Sequence, residues 1–318
     1  MIKTIWAFCS IFFLCVSASL QAQDNHAIYF NQKWAVIPQK DTASFYRIYT
    51  PKTNLIEVND FYINDTLQMT GQITLKDSLK TGIYKYYDEQ GRLSSEMPYI
   101  KGKRQGKNLD YYPNGTIAYE VSYNENFQTG YRNSYDTLGV LLSKERFLDD
   151  PDAVRTIFAS DTSWQKLAEN DCHGFLDGKS YYYYPNGKTA SEELYEKGHF
   201  VSANFFDPSG QVVYYDHEKE STAAMPSFQG NYTSYLSKAI KYPKEARRKK
   251  IEGRVIVAFV VEKDGSVGQL KVINSVHPLL DEEALRVVAA TSSLWKPGRI
   301  HNLPIRVYFS APIKFTLK

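Results

Sequence analysis

A repeat of glycine pairs constrains this chain more than any other feature. Gly82 and Gly91, Gly106 and Gly115, Gly130 and Gly139, and Gly178 and Gly187 share one internal gap of nine residues. The first three pairs step by 24 and the last by 48, so a degenerate copy is expected near residues 154–163. Five residues after each leading glycine stands Tyr87, Tyr111, Tyr135 or Tyr183, and seventeen after it stands Tyr99, Tyr123, Phe147 or Tyr195. Glu96, Glu120 and Glu192 hold a further common register. Asp-Glu-Gln-Gly, two copies of Pro-Asn-Gly, and Asp-Pro-Ser-Gly at 207–210 are turn strings. Each copy therefore reads as a β-hairpin whose aromatic residues turn inward. One hairpin is unstable alone, but stacked copies bury a continuous face. A weaker copy is expected around Phe61–Leu67. The tyrosines read either as rungs of a repeat core or as a sugar- or lipid-binding surface, and the rung reading is favoured.

The last quarter of the chain follows different periods. Ile305, Val307, Phe309, Ala311, Ile313, Phe315 and Leu317 alternate with Arg306, Tyr308, Ser310, Pro312, Lys314, Thr316 and Lys318. Such period-2 alternation predicts a strand with one face on a core and one in water. Pro312 lacks an N–H and belongs at a sheet edge or bulge, and an open edge is a docking template. Upstream, residues 231–240 predict a short helix. Pro243 suits the first position of a helix over KEARRKK. Val255–Val261 is apolar on both faces, as for a central strand covered on both sides. Asp264–Gly265 marks a hairpin turn. In LLDEEALRVVAAT, Leu280, Ala284, Val287, Val288 and Thr291 share one helical face, and the three acids suit the first turn. His277 reads as a loop or cap residue.

Tyr242-Pro243, Glu252-Gly253, Asp264-Gly265, the LLDEEAL helix and Trp-Lys-Pro-Gly at 295–298 together resemble the C-terminal domain of the TonB energy-transducer family. The resemblance covers residues 231–318. It implies a three-stranded antiparallel sheet with helices on one face. It also implies that the domain grips an extended segment of an outer-membrane receptor by strand addition and couples the receptor to inner-membrane energising proteins. Tyr242, Pro243, Trp295, Pro297 and Gly298 match family positions that shape or flank the docking edge. That edge is expected along Ile305, Arg306, Val307, Tyr308, Phe309, Ser310 and Ala311, ending near Pro312. Trp295 reads equally as a core anchor or a partner contact. Because N–H direction alternates along an edge, only one of two prolines placed at Tyr308 and Ser310 is expected to spare the fold while abolishing docking. Familiar TonB proteins carry a transmembrane anchor and a Pro-rich rod, whereas this chain has 13 scattered prolines. The repeats at 55–215 resemble MORN-type repeats, including the antitoxin-like variant. They predict an elongated all-β region, preceded by a β segment at 23–54 and followed by a polar linker at 216–230.

Charge divides between the halves. Residues 231–318 hold 16 Lys/Arg against 7 Asp/Glu, and the remainder holds 22 against 28. The basic half has no aromatic–basic platform for nucleic acid. It favours acidic partners or the cell-wall polymer instead, and Arg247–Lys250 reads as an exposed helix end. Residues 1–22, with Lys3 before an apolar stretch from Ile5 to Val16, read as a secretory signal, an uncleaved anchor being the alternative. A signal places the chain in the periplasm. Cys9 and Cys15 fall inside it, leaving Cys172 without a disulfide partner. Cys172-His173 are neighbours but lack a third catalytic group. The six histidines are scattered, and no phosphate loop appears. No catalytic residue, metal, cofactor or small-molecule substrate is expected. Two functions follow: a TonB-like coupling protein with the hairpins replacing the rod, or a non-enzymatic envelope adaptor binding another envelope protein or the cell wall.

Overall fold

A computed structural model describes residues 27–160, 174–214 and 223–317. The chain divides into two compact units at Ala203/Asn204. The signal segment, the Cys172-His173 pair and residues 216–222 of the expected linker lie outside the described residues.

The first unit is built on one antiparallel sheet in which successive strands are almost everywhere neighbours. Each repeat is a hairpin, as its turn strings require. Gly91, Gly115, Gly139 and Gly187 close their turns at φ between +75° and +83°, where a side chain is strained. Each donates its N–H to the carbonyl three residues before it. The upstream hairpin Leu55–Tyr62/Leu67–Thr74 uses Asp65 at φ +66° for the same purpose. Strand Phe45–Pro51 joins this hairpin through a full ladder, so the sheet runs through the boundary expected at residue 54.

The ladder register explains the sequence periods. Tyr99, Tyr123, Phe147 and Tyr195 each stand directly across from the leading glycine of their own copy, and all four are buried. The glycine itself is set by its backbone, since Gly82, Gly106, Gly130 and Gly178 all hold φ between +68° and +108°. On the opposite face Glu96, Glu120 and Glu192 pair with Lys85, Lys107 and Lys179 at 3.0, 2.7 and 2.6 Å. The inward face is not aromatic throughout. It begins as an apolar cluster of Val58, Met69, Tyr84 and Tyr99. Further along, the positions equivalent to Met97 are Glu145 and Glu193, both buried. Glu145 accepts from Arg132 (2.6 Å) and Tyr182 (2.9 Å), and Glu193 from Ser191 (2.9 Å) and Tyr195 (2.7 Å). Buried carboxylates are tolerated here because each is hydrogen-bonded.

Among the described residues, the degenerate copy expected at 154–163 does not form. Pro151–Ser160 is a helix instead, and strand Leu141–Phe147 pairs directly with Gly178–Tyr183. The local sequence favours this outcome: Asp150 accepts from the Asp152 N–H (2.9 Å), and Pro151 opens the first turn. Val154 and Phe158 then pack with Phe175.

In the second unit the central strand Gly253–Val261 pairs antiparallel with Val267–Asn274 on one side and Val307–Phe315 on the other. Val255, Val257, Phe259 and Val261 share one buried cluster with Leu236, Ala246, Leu280, Ala284, Val287, Val288, Trp295, Ala311, Ile313 and Phe315. The helices Tyr232–Ala239, Lys244–Arg248 and Pro278–Ala289 all contribute to it. The outer face of the central strand is less covered than its composition predicts, since Ile256 and Ala258 are only half-buried. Pro243 is the N-cap of its helix rather than its first residue, and His277 caps the long helix by accepting from the Leu279 N–H at 3.2 Å.

Part of the expected linker is folded structure. Ala223 and Ala224 pair with Ile300 and Arg299, and Ser227 and Phe228 with Lys296 and Trp295. The Phe228 ring lies 5.2–5.4 Å from the rings of Tyr232, Tyr235 and Trp295. One aromatic residue with a prepared cluster is enough to draw a polar segment into the fold.

Candidate functional site: the edge of the closing strand

The alternation read from the sequence survives in Val307–Phe315. Ala311, Ile313 and Phe315 are buried, Val307 and Phe309 half-buried, and Tyr308, Ser310, Pro312 and Lys314 exposed. Tyr308 is the extreme, with 76% of its surface open. The strand is last in its sheet and pairs only with the central strand among the described residues. Pro312 stands opposite Ile256 and has no N–H to give to the ladder. That backbone position therefore faces away from the central strand. In a regular antiparallel ladder, direction repeats every second residue. Tyr308, Ser310 and Lys314 thus point their N–H groups to the free side with Pro312. Tyr308 and Ser310 lie opposite Val260 and Ala258, two apart, so they share one direction. The expectation that only one of them faces outward is corrected.

The edge is shorter than the sequence reading placed it. Ile305 belongs to a two-residue-turn hairpin, Gly298–Ile300 with Leu303–Ile305, and stands opposite Gly298. The ladder breaks at Arg306, whose guanidinium is held by Glu262 at 2.7 and 2.9 Å. A second proline, Pro304, stands opposite Arg299. Prolines therefore flank the donors of Tyr308 and Ser310 on both sides. Pro304 was missed from sequence although its even spacing from Pro312 was the available signal.

The other site residues support the strand from behind. Trp295 is buried, donates Nε1–H to Thr291 at 3.0 Å, and lies 5.6 and 5.3 Å from the rings of Phe259 and Phe309. It is placed as a core anchor. Gly298 is enclosed by Val307, Pro226 and the Ala224 carbonyl, and an added Cβ would come within 2.7 Å of Val307. Pro297 is half-buried beside Gly265. Tyr242 sets its ring edge-on to Phe315 at 5.8 Å and donates its hydroxyl to the Ile251 carbonyl. Pro243 is half-buried at the start of the next helix. Behind these, buried Glu283 accepts from the Lys241 N–H at 2.5 Å and from Arg286 at 2.7 Å. Burial alone raises a carboxyl, but these partners outweigh it and hold Glu283 below the ordinary glutamate range. Among the described residues no group of acidic, His or Cys side chains could hold a metal, and no helix is long and apolar enough to cross a membrane.

Residues 238–317 match the family described as Gram-negative bacterial TonB protein C-terminal. The second unit carries a TonB-type C-terminal domain. Residues 80–101, 104–125 and 176–197 match the MORN repeat variant. Two TonB proteins of different Helicobacter pylori strains are each 32% identical over 97 residues, 29% of this chain and 35% and 34% of theirs. The matched part thus spans about a third of the length of those relatives. Two NMR solution structures of the Helicobacter pylori TonB C-terminal domain are 30% identical to it. They cover 27% of this chain and 77% and 88% of theirs, with TM-scores of 0.22. The folded TonB-type unit of this chain extends beyond the family match, because Ala223–Phe228 pairs with Trp295–Ile300.

Proposed function

We propose that this chain is a non-enzymatic, periplasmic TonB-like protein. Its TonB-type domain binds an extended segment of an outer-membrane receptor by strand addition and couples that receptor to energy supplied at the inner membrane. The observation that carries this reading is the unpaired side of Val307–Phe315, where Tyr308 and Ser310 turn outward between Pro304 and Pro312. An added strand exchanges main-chain hydrogen bonds with such an edge, while alternate side chains set specificity. A strand paired here would lie beside exposed Tyr308, an aromatic contact of the kind that anchors interfaces. The MORN-type hairpins serve as the spacer that a Pro-rich rod provides in familiar TonB proteins. No nucleic acid or small-molecule substrate is involved.

The test is titration of a receptor-derived extended peptide against the full exported chain and its Tyr308→Pro and Ser310→Pro variants, with melting curves for each. Both variants should keep the wild-type melting temperature and lose binding, because both lost N–H groups face outward. Phe309→Pro, whose N–H faces the central strand, should unfold the unit. Undiminished peptide affinity in the two edge variants would end the strand-addition reading. Mass spectrometry of the mature N-terminus tests the coupling role separately: retention of Met1–Gln21 supports a transducer, and cleavage near Ala22 supports the adaptor.

A further inference from the structure

The TonB-type unit carries a concentration of positive charge, most of it away from the docking edge. Lys238, Lys241, Lys244, Arg247, Arg248, Lys249 and Lys250 fall within thirteen residues, against the single acid Glu245. All seven are exposed. One ion pair is seen among them, Arg248 with Glu245 at 2.7 Å, itself open to solvent. Arg247 rests over the Tyr242 ring at 5.6 Å. The run leads within a few residues to Arg254, which stands directly opposite Lys314 in the ladder, both side chains exposed.

A solvated helix end does not account for this arrangement. Cations stabilise a helix C-terminus, which covers Arg247 to Lys250. Lys244, however, occupies the first turn, where a cation is disfavoured. Like charges directly opposite in a sheet, as Arg254 and Lys314 are, also destabilise. Lys250 holds φ +53°, a left-handed position after the helix where glycine is preferred. Three placements thus work against folding and retain charge.

We propose that this basic end binds an anionic phospholipid surface. Between residues 231 and 272 no large hydrophobic side chain is exposed. Inside the cationic run itself, a protein partner would find no exposed apolar anchor of the kind that carries interface energy. Exposed cations without exposed apolar neighbours inside the run suit a plane of phosphates instead. Attraction of this kind acts without insertion and weakens as salt screens it.

The test is co-sedimentation of the full exported chain with phosphatidylcholine vesicles, with and without phosphatidylglycerol, at low and high salt. A Lys244→Gln, Lys249→Gln, Lys250→Gly variant removes three charges and relieves the left-handed lysine, so it should fold at least as well as wild type. Wild type should pellet only with anionic vesicles and be released by salt. The variant should bind roughly 100-fold more weakly, at about fivefold for each of its three lost cations, with a melting temperature no lower than that of wild type. Equal binding by the two proteins, or no pelleting on anionic vesicles, overturns the proposal. Tighter binding to soluble polyglutamate than to vesicles also overturns it and assigns the patch to an acidic peptide.

Discussion

Phe228 decides where the TonB-type unit begins. Its ring contacts Tyr232, Tyr235 and Trp295, and its backbone pairs with Trp295, while Gln229 donates to the Leu294 carbonyl at 2.8 Å. Truncating a fully buried phenylalanine to alanine costs about 3–5 kcal/mol. Phe228 is only half-buried, so about 2 kcal/mol is expected for Phe228→Ala. Every 1.4 kcal/mol is a factor of ten, and the loss corresponds to roughly 30-fold faster amide exchange wherever opening requires the unit to unfold. Hydrogen exchange with peptide-level mass readout resolves this in the full chain. Peptides spanning Gly253–Val261 and Val307–Phe315 should accelerate together, and those from the repeat hairpins should not change. If exchange rises only at 223–230, the segment is a passive strap and the unit begins at the helix Tyr232–Ala239.

Three further outcomes follow from the geometry. Gly71→Ala should destabilise the first unit by about 1–3 kcal/mol in denaturant unfolding, because the new Cβ would fall 2.4 Å from the buried Tyr84 ring. Asp60→Ala should cost about 3 kcal/mol, near the lower end for breaking a buried pair, since Arg47 keeps a quarter of its side chain in water; an Arg47→Met, Asp60→Leu double variant should recover most of that loss in the same assay. Glu283 titrates lower folded than unfolded, so its stabilisation is present above the ordinary glutamate pKa and is lost as pH falls through the depressed value. Acid unfolding of Glu283→Gln should therefore be less pH-dependent than that of wild type over that window.

Where the sequence was legible, one residue's environment depended on near neighbours. The closing strand's alternation and the apolar face Leu280, Ala284, Val287, Val288, Thr291 both appear as read, because strand and helix periods are local properties. The repeat glycines were legible for the same reason: each turn needs its own left-handed residue. What was illegible depends on distant partners. Nothing around Phe228 announces a cluster built on Trp295. The acids of the long helix read as dipole partners, yet Glu283 is buried to receive the Lys241 N–H. The step of 48 gave only the length of the gap, and capping by Asp150 starts the helix Pro151–Ser160 within it. Ile305 looked like edge because alternation cannot reveal that Gly298 already pairs with it.

The direct pairing of Leu141–Phe147 with Gly178–Tyr183 says how such an array can change over time. Each hairpin contacts its sequence neighbours and little else, so loop closure between successive strands is short and folding can start in any copy. The chain between Phe147 and Gly178 is the exception, a long excursion that must close before the two blocks join. That junction should be the slowest step in assembling the sheet. The same independence makes length negotiable: a copy can be gained, lost or overwritten by a helix, and the strands on either side still find each other.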